Sequence, residues 1–175
     1  MHICCAPCAA VPVQELRAEG LDVAGFFYNP NIHPYQEYLK RKEAVEKLSE
    51  AVGLQVIFDD SYDFQGFLRE VAYRVENRCE ICYEKRVQET ARMAKQGNFD
   101  AFTSTLLISP HQDHEMIKAI GGKASNEKGI ELLYRDYRSA FKKSFDLSQK
   151  YSLYRQQYCG CIYSEYERYA SRRRK

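Results

Sequence analysis

Seven cysteines carry the softest and most nucleophilic atoms of this chain, and each has another close by: Cys4, Cys5 and Cys8, then Cys79 and Cys82, then Cys159 and Cys161. Thiolates bind soft metals and iron–sulfur clusters, and they exchange with disulfides. Cys79 and Cys82 are three apart in the first turn of a predicted helix, so both face one side. The positive helix end favours their thiolate form. A C-x-x-C alone also serves zinc or thioredoxin-type exchange, but the further clustered cysteines exceed the needs of an exchange site. A four-thiolate zinc site would leave three unused. Seven thiolates divide into four for a cubane 4Fe–4S cluster and three for something else. The remainder suits a second metal, completed by a carboxylate such as Asp113, or a redox disulfide pair. Cys4-Cys5 and Cys159-Gly160-Cys161 each place two sulfurs close along the chain, so either pair can serve two neighbouring centres. Spacing leaves that division open.

Two polar stretches accompany the thiols. His33, in Asn29-Pro30-Asn31-Ile32-His33-Pro34, is a candidate proton donor near neutral pH, or a residue that fixes a turn. Tyr154-Arg155-Gln156-Gln157-Tyr158 stands just before the last cysteine pair and offers groups for phosphate or an anionic intermediate.

These residues need elements to hold them. Residues 1–4 predict a strand, and a helix follows from Pro7 to about Ala18, with Pro12 predicting a kink or a late start. Val23–Tyr28 predicts a second strand ending at the breaker cluster Asn29-Pro30-Asn31. Pro34 opens a helix closed by Gly53, and Leu54–Phe58 is a third strand. Helices follow over 63–76 and 79–96, and Ala101–Leu107 is a fourth strand. Ser109-Pro110-His111-Gln112 has capping-box spacing and predicts a helix from there to about residue 120, before Gly121-Gly122. A fifth strand at Glu131–Tyr134 and a helix over 140–151 complete the pattern. Strands alternating with amphipathic helices indicate an α/β fold with a mostly parallel sheet. Sites in such sheets lie beyond the carboxyl ends of the strands. Cys4 and Cys5, Asn29 to His33, and Thr105 to Asp113 all fall there, which favours one site over scattered ones.

Composition narrows the class. The chain of 175 residues, 45% apolar and 29% charged, fits one α/β catalytic domain with a basic, tyrosine-rich segment from about residue 151. No apolar run is long enough for a membrane helix, and no secretory leader precedes the first strand, so an intracellular, reducing setting is expected. Clustered cysteines then mean metal or redox chemistry sooner than structural disulfides. Net charge is only +2, yet the segment ending in Arg172-Arg173-Arg174-Lys175 is strongly basic. Its cations and tyrosine rings suit a nucleic-acid surface.

With these motifs assembled, the chain resembles the epoxyqueuosine reductases of the QueH type. The matching blocks run in order: His2-Ile3-Cys4-Cys5-Ala6-Pro7-Cys8, Tyr28 to Pro34, Glu37-Tyr38 with Arg41, Arg78-Cys79-x-x-Cys82-Tyr83-x-x-Arg86, Thr105 to Pro110, Asp136-Tyr137-Arg138, and Leu153 to Cys161. Pro12 and Ser152 depart from the pattern, Ser152 standing where glycine is expected. The resemblance implies a Rossmann-like fold of the nucleotide-hydrolase (HUP) superfamily, a 4Fe–4S cluster and an adjacent mononuclear iron or zinc, all held by the seven cysteines. It implies a cytoplasmic enzyme, with no membrane partner, that takes electrons from an external donor. Its substrate would be tRNA bearing epoxyqueuosine at the wobble position, deoxygenated to queuosine. His33 and Asp113 are then the candidate catalytic residues, and Asn29, Asn31, Arg138, Tyr154, Arg155 and Gln156 the candidate substrate contacts. Removal of Arg172–Lys175 should weaken tRNA binding, more so at low salt.

Two other functions share parts of this pattern. An iron–sulfur-dependent tRNA sulfur transferase would carry Ser-Gly-Gly-x-Asp-Ser after the first strand, where this chain has Cys4-Cys5-Ala6-Pro7-Cys8. A non-enzymatic, zinc-stabilised RNA-binding protein would hold zinc alone.

Overall fold

The first residues of the chain form the middle of the sheet. In the computed structural model, which describes residues 1–170, His2 bridges Phe26 on one side and Ser104 on the other, both in parallel. The amide of His2 donates to the Thr103 carbonyl and that of Ile3 to the Phe26 carbonyl, each at 2.8 Å. Outside this centre, β1 (Gly25–Phe27) pairs with β2 (Val56–Phe58), and β3 (Ala101–Phe102) pairs with β4 (Glu131–Leu132), again in parallel. The lateral order is therefore β2, β1, the segment about His2, β3, β4. The basic run Arg172–Lys175 lies outside the described residues.

Helices make the crossovers. α1 (Ala6–Ala18) leads to β1, α2 (Tyr35–Val52) to β2, α3 (Phe64–Val71) and α4 (Arg78–Gln96) to β3, and α5 (His114–Lys128) to β4. α6 (Lys143–Lys150) and α7 (Ile162–Ala170) follow the last strand. The chain leaves the central segment toward β1 and later returns on its other side at β3. A crevice opens at such a reversal, beyond the carboxyl ends of the strands. Among the described residues no helix is long and apolar enough to cross a membrane.

The core explains why α1 is so apolar. Every residue from Ala6 to Val13 is buried, because this helix packs against both α2 and α6. Pro12 neither interrupts nor delays it: helix runs from Ala6 to Ala18. A satellite cluster of Phe67, Val71, Ile81 and Cys82, with Cys161 and Tyr163 against it, joins α3, α4 and the start of α7.

Four elements differ from the sequence expectation. The helix expected over 63–76 ends at Val71 and is followed by a 3-10 turn at Val75–Asn77. The apolar run after β3 is a buried 3-10 turn over Thr105–Ile108, because the Ser104 side chain accepts from the Leu106 amide and turns the chain. α5 begins after Asp113 instead of Ser109, capped by the Asp113 carboxylate on the Met116 amide at 3.0 Å. It passes through Gly121, where a Cβ would come within 2.7 Å of Leu132, so the glycine serves close packing on β4. Tyrosines at the end of the chain belong to α7, which the basic composition concealed.

Candidate metal centre and active-site cavity

Cys4, Cys5 and Cys8 come together because the chain turns from the central strand directly into α1. Extended backbone at Cys5 (φ −165°) and helix from Ala6 bring the three sulfurs within 4.8 Å of one another, all buried. Cys4 and Cys5 have their sulfurs 3.7 Å apart. Donors converge on this group. Gln156 Nε2 lies 3.0 Å from the Cys5 sulfur and 3.7 Å from that of Cys8, and the Thr105 hydroxyl is 3.4 Å from that of Cys4. Donation from the Cys5 and Cys8 thiols holds Cys4 well below the ordinary thiol range, while donating to Cys4 raises Cys8. Burial raises Cys5.

The other four cysteines lie near one another on two elements, but among the described residues only Cys4, Cys5 and Cys8 bring three sulfurs within 4.8 Å of one another. Cys79 and Cys82 lie in the first turns of α4, and Cys159 and Cys161 lie on the loop that leads into α7. Packing in the satellite cluster joins Cys82 to Cys161, and each of Cys79 and Cys82 feels the charge of Cys159 and Cys161. Burial pushes Cys82 up to about 12. Arg86, one turn along α4, donates from Nη2 to the Cys82 sulfur at 2.9 Å, and Gln112 Nε2 lies 3.5 Å from that of Cys159.

The C-x-C loop is held from behind. Arg41 donates to the Cys159 and Tyr158 carbonyls at 2.8 and 3.0 Å, and the His33 amide donates to the Gly160 carbonyl at 2.8 Å. Three successive carbonyls are thereby satisfied on one side.

Both groups border one cavity of about 650 Å³ at the carboxyl edge of the sheet. Cys4, Cys8 and Cys159 line it, with Arg86 and Thr105 beside them; Phe141, Phe145, His111 and Arg155 form the outer part. Arg155 stacks its guanidinium 4.1 Å from the Phe145 ring centre. Convergent sulfurs and N–H groups directed at them match the needs of a thiolate-bound metal or cluster. The residues present fit such a group.

Of the candidate substrate contacts, Arg155 and Gln156 line this cavity. The others have partners elsewhere or are buried. Asn29 donates to the Ile3 carbonyl and meets His2; Tyr154 donates to Glu37 Oε2 at 2.6 Å; Arg138 pairs with Asp136 at 2.5 Å on the surface. Asn31 is buried with its Oδ1 unpartnered. His33 is 5% exposed, its ring on Phe67 and neither ring nitrogen hydrogen-bonded. Burial lowers it to about 4. Asp113 spends its carboxylate on the α5 cap. Read from sequence, Arg41 and Arg86 are only family-matching residues and Gln112 only part of a capping pattern, with no site role for these or for Phe141 and Phe145. The available signals were Glu37–Arg41 and Cys82–Arg86, each four apart on a helix.

Fold and site define a class: an α/β protein whose parallel sheet carries, at its topological reversal, a cysteine cluster suited to holding a metal ion. Comparison with known proteins narrows it. The family model described as Epoxyqueuosine reductase QueH matches residues 1–167. The chain is 39% identical over 169 residues to the epoxyqueuosine reductase QueH of Dehalococcoides mccartyi, covering 97% of this chain and 93% of the relative. It is 34% identical over 179 residues to that of Thermotoga maritima, covering 96% and 90%. The corresponding protein of Haemophilus influenzae is 35% identical over 173 residues, covering 94% and 70%. This chain belongs to the epoxyqueuosine reductase QueH family.

Proposed function

We propose that this chain is an epoxyqueuosine reductase that deoxygenates epoxyqueuosine to queuosine at the wobble position of tRNA in the cytoplasm. The net reaction consumes two electrons and two protons, converts an epoxide to an alkene and releases water. The observation that carries the reading is the pair of thiol groups opening on one cavity. In this proposal Cys79, Cys82, Cys159 and Cys161 hold a 4Fe–4S cluster, and Cys4, Cys5 and Cys8 hold a second ion, iron or zinc. Support for that division comes from the clustering of the three buried sulfurs and the packing of Cys82 against Cys161. When bound, the cluster would relay single electrons from an external donor and the second ion would act as a Lewis acid toward the epoxide oxygen.

The remaining work falls to side chains. Phe141, Phe145 and the Arg155 guanidinium offer faces on which a base drawn from an RNA loop can stack. Gln156 and Thr105 orient sulfurs. His33, whose ring packs on Phe67 and is not among the residues that line the cavity, stays in the proposal as a proton donor that would act through a relay from the cavity. Normal turnover by a His33→Ala variant with full metal content would remove it. Strand order about His2 supports a Rossmann-like, nucleotide-hydrolase type of sheet.

The deciding experiment incubates anaerobically purified, reduced protein with tRNA containing epoxyqueuosine and analyses the nucleosides by mass. Queuosine formation is expected. A thiolated nucleoside would replace reduction with sulfur transfer, and colourless zinc protein that binds tRNA without turnover would make it a binding module.

A further inference from the structure

Arg86 is the least compensated charge in the described interior. It is 2% exposed, yet no carboxylate among the described residues pairs with it. A guanidinium withdrawn from water costs several kcal/mol, on the order of what a buried ion loses without a partner. Arg41, buried to the same degree, has Glu37 at 2.8 Å. Arg86 instead donates from Nε to the Cys82 carbonyl at 3.0 Å and from Nη2 to the Cys82 sulfur at 2.9 Å, with the Tyr83 ring face 6.0 Å away. Arg86 also lines the cavity together with Cys4 and Cys8 of one thiol group and Cys159 of the other, so its guanidinium borders both.

We propose that Arg86 is a positioning residue of the reductase: a fixed cation between the two thiol groups that balances the negative charge of the sulfur ligands and so sets the metal affinity and reduction potential of the site. The inference rests on the proposed cysteine-held metal reading. Its physics is general. Net charge and hydrogen bonds to sulfur tune cluster potentials, and a nearby cation favours the more negative, reduced form. Residues just behind the ligands typically contribute about 10- to 100-fold to metal retention.

Two variants separate charge from hydrogen bonding. Arg86→Gln keeps an N–H donor without the charge, and Arg86→Lys keeps the charge without the planar fork. Protein purified anaerobically is assayed for iron and zinc content, rate of metal loss to a chelator, midpoint potential by reductive titration, and melting temperature. In Arg86→Gln the metal should leave about 10- to 100-fold faster and the potential should move to more negative values. Arg86→Lys should hold the potential near that of the parent. Equal potentials and loss rates in the parent and Arg86→Gln, with only the melting temperature lowered, would make Arg86 a packing residue and overturn the inference alone. A potential that falls equally in both variants would overturn the assignment to charge. Parent protein that takes up neither iron nor zinc would overturn the metal reading and the inference with it.

Discussion

Arg41 on α2 donates from Nη1 to the carbonyl of Cys159, 118 residues away in sequence, at 2.8 Å. The same guanidinium pairs with Glu37, whose second oxygen accepts from the Tyr154 hydroxyl. Breaking a buried pair by removing one partner strands the other charge and typically costs about 3–5 kcal/mol. Arg41→Met should lose stability of that order in urea unfolding of the metal-free protein. Arg41→Met with Glu37→Gln should cost less than the two single changes added together, since the stranded carboxylate is then gone.

Gly160 lies against that guanidinium. Its φ is +152°, and a Cβ there would stand 3.3 Å from both Arg41 Nη1 and Ile32 Cγ1. A side chain at such a φ costs about 1–3 kcal/mol. Gly160→Ala should therefore shift the loop more than it unfolds the protein. Metal content should fall relative to the parent while the melting temperature drops only a few degrees; unchanged metal content would detach the loop geometry from metal holding.

Much of this site could be read from residue order alone. Strand ends located Cys4, Cys5 and Thr105, because an apolar run followed by a breaker is a local signal. The C-x-x-C pair was legible for the same reason, its spacing being a property of one helix turn. What joined Cys82 to Cys161 was packing between α3, α4 and α7, with no trace in local spacing. Tyr154 and Asn29 show the same limit. Polar residues near cysteines suggest substrate contact, but both have hydrogen bonds inside the fold, to Glu37 and to the Ile3 carbonyl. The roles of Arg41 and Arg86 escape because nothing in composition separates a buried arginine from the exposed majority.

His33 gives a pH signature. Its ordinary value of 6.5 is lowered to about 4 by burial. Between those values the unfolded chain binds a proton that the folded chain refuses, so stability rises with pH through that window and is complete above about pH 6.5. The slope from this one group is at most about 1.4 kcal/mol per pH unit. His33→Phe should flatten the difference in metal-free stability between pH 4.5 and 6.5 relative to the parent (denaturant midpoints at both values measure it). Equal slopes would mean that the imidazole is hydrated in solution.

Ser152, at a position where glycine is expected, has a φ of +50°. It follows the last turn of α6, with the Leu153 amide bonded back to the Ser148 carbonyl at 2.9 Å. A left-handed residue after a helix favours glycine, and an L side chain there costs about 1–2 kcal/mol, partly returned by the freer unfolded glycine chain. Ser152→Gly should raise stability by about 0.5–1 kcal/mol in chemical denaturation. A loss would show that the serine side chain contributes more than its backbone costs.

Arg155 separates substrate binding from the sulfur chemistry. It is exposed at the cavity, stacked on Phe145 and distant in role from the cysteines that its neighbour Gln156 contacts. A cation that meets a phosphate contributes binding that fades with salt, about one unit of slope in log affinity against log salt. If it instead stacks with a base, the loss on removal is about 1–3 kcal/mol and nearly independent of salt. Arg155→Ala should raise KM for epoxyqueuosine tRNA with little change in kcat or metal content. The salt dependence of that rise then tells phosphate contact from base stacking. A fall in kcat at unchanged KM would move Arg155 from the binding surface into the reaction itself.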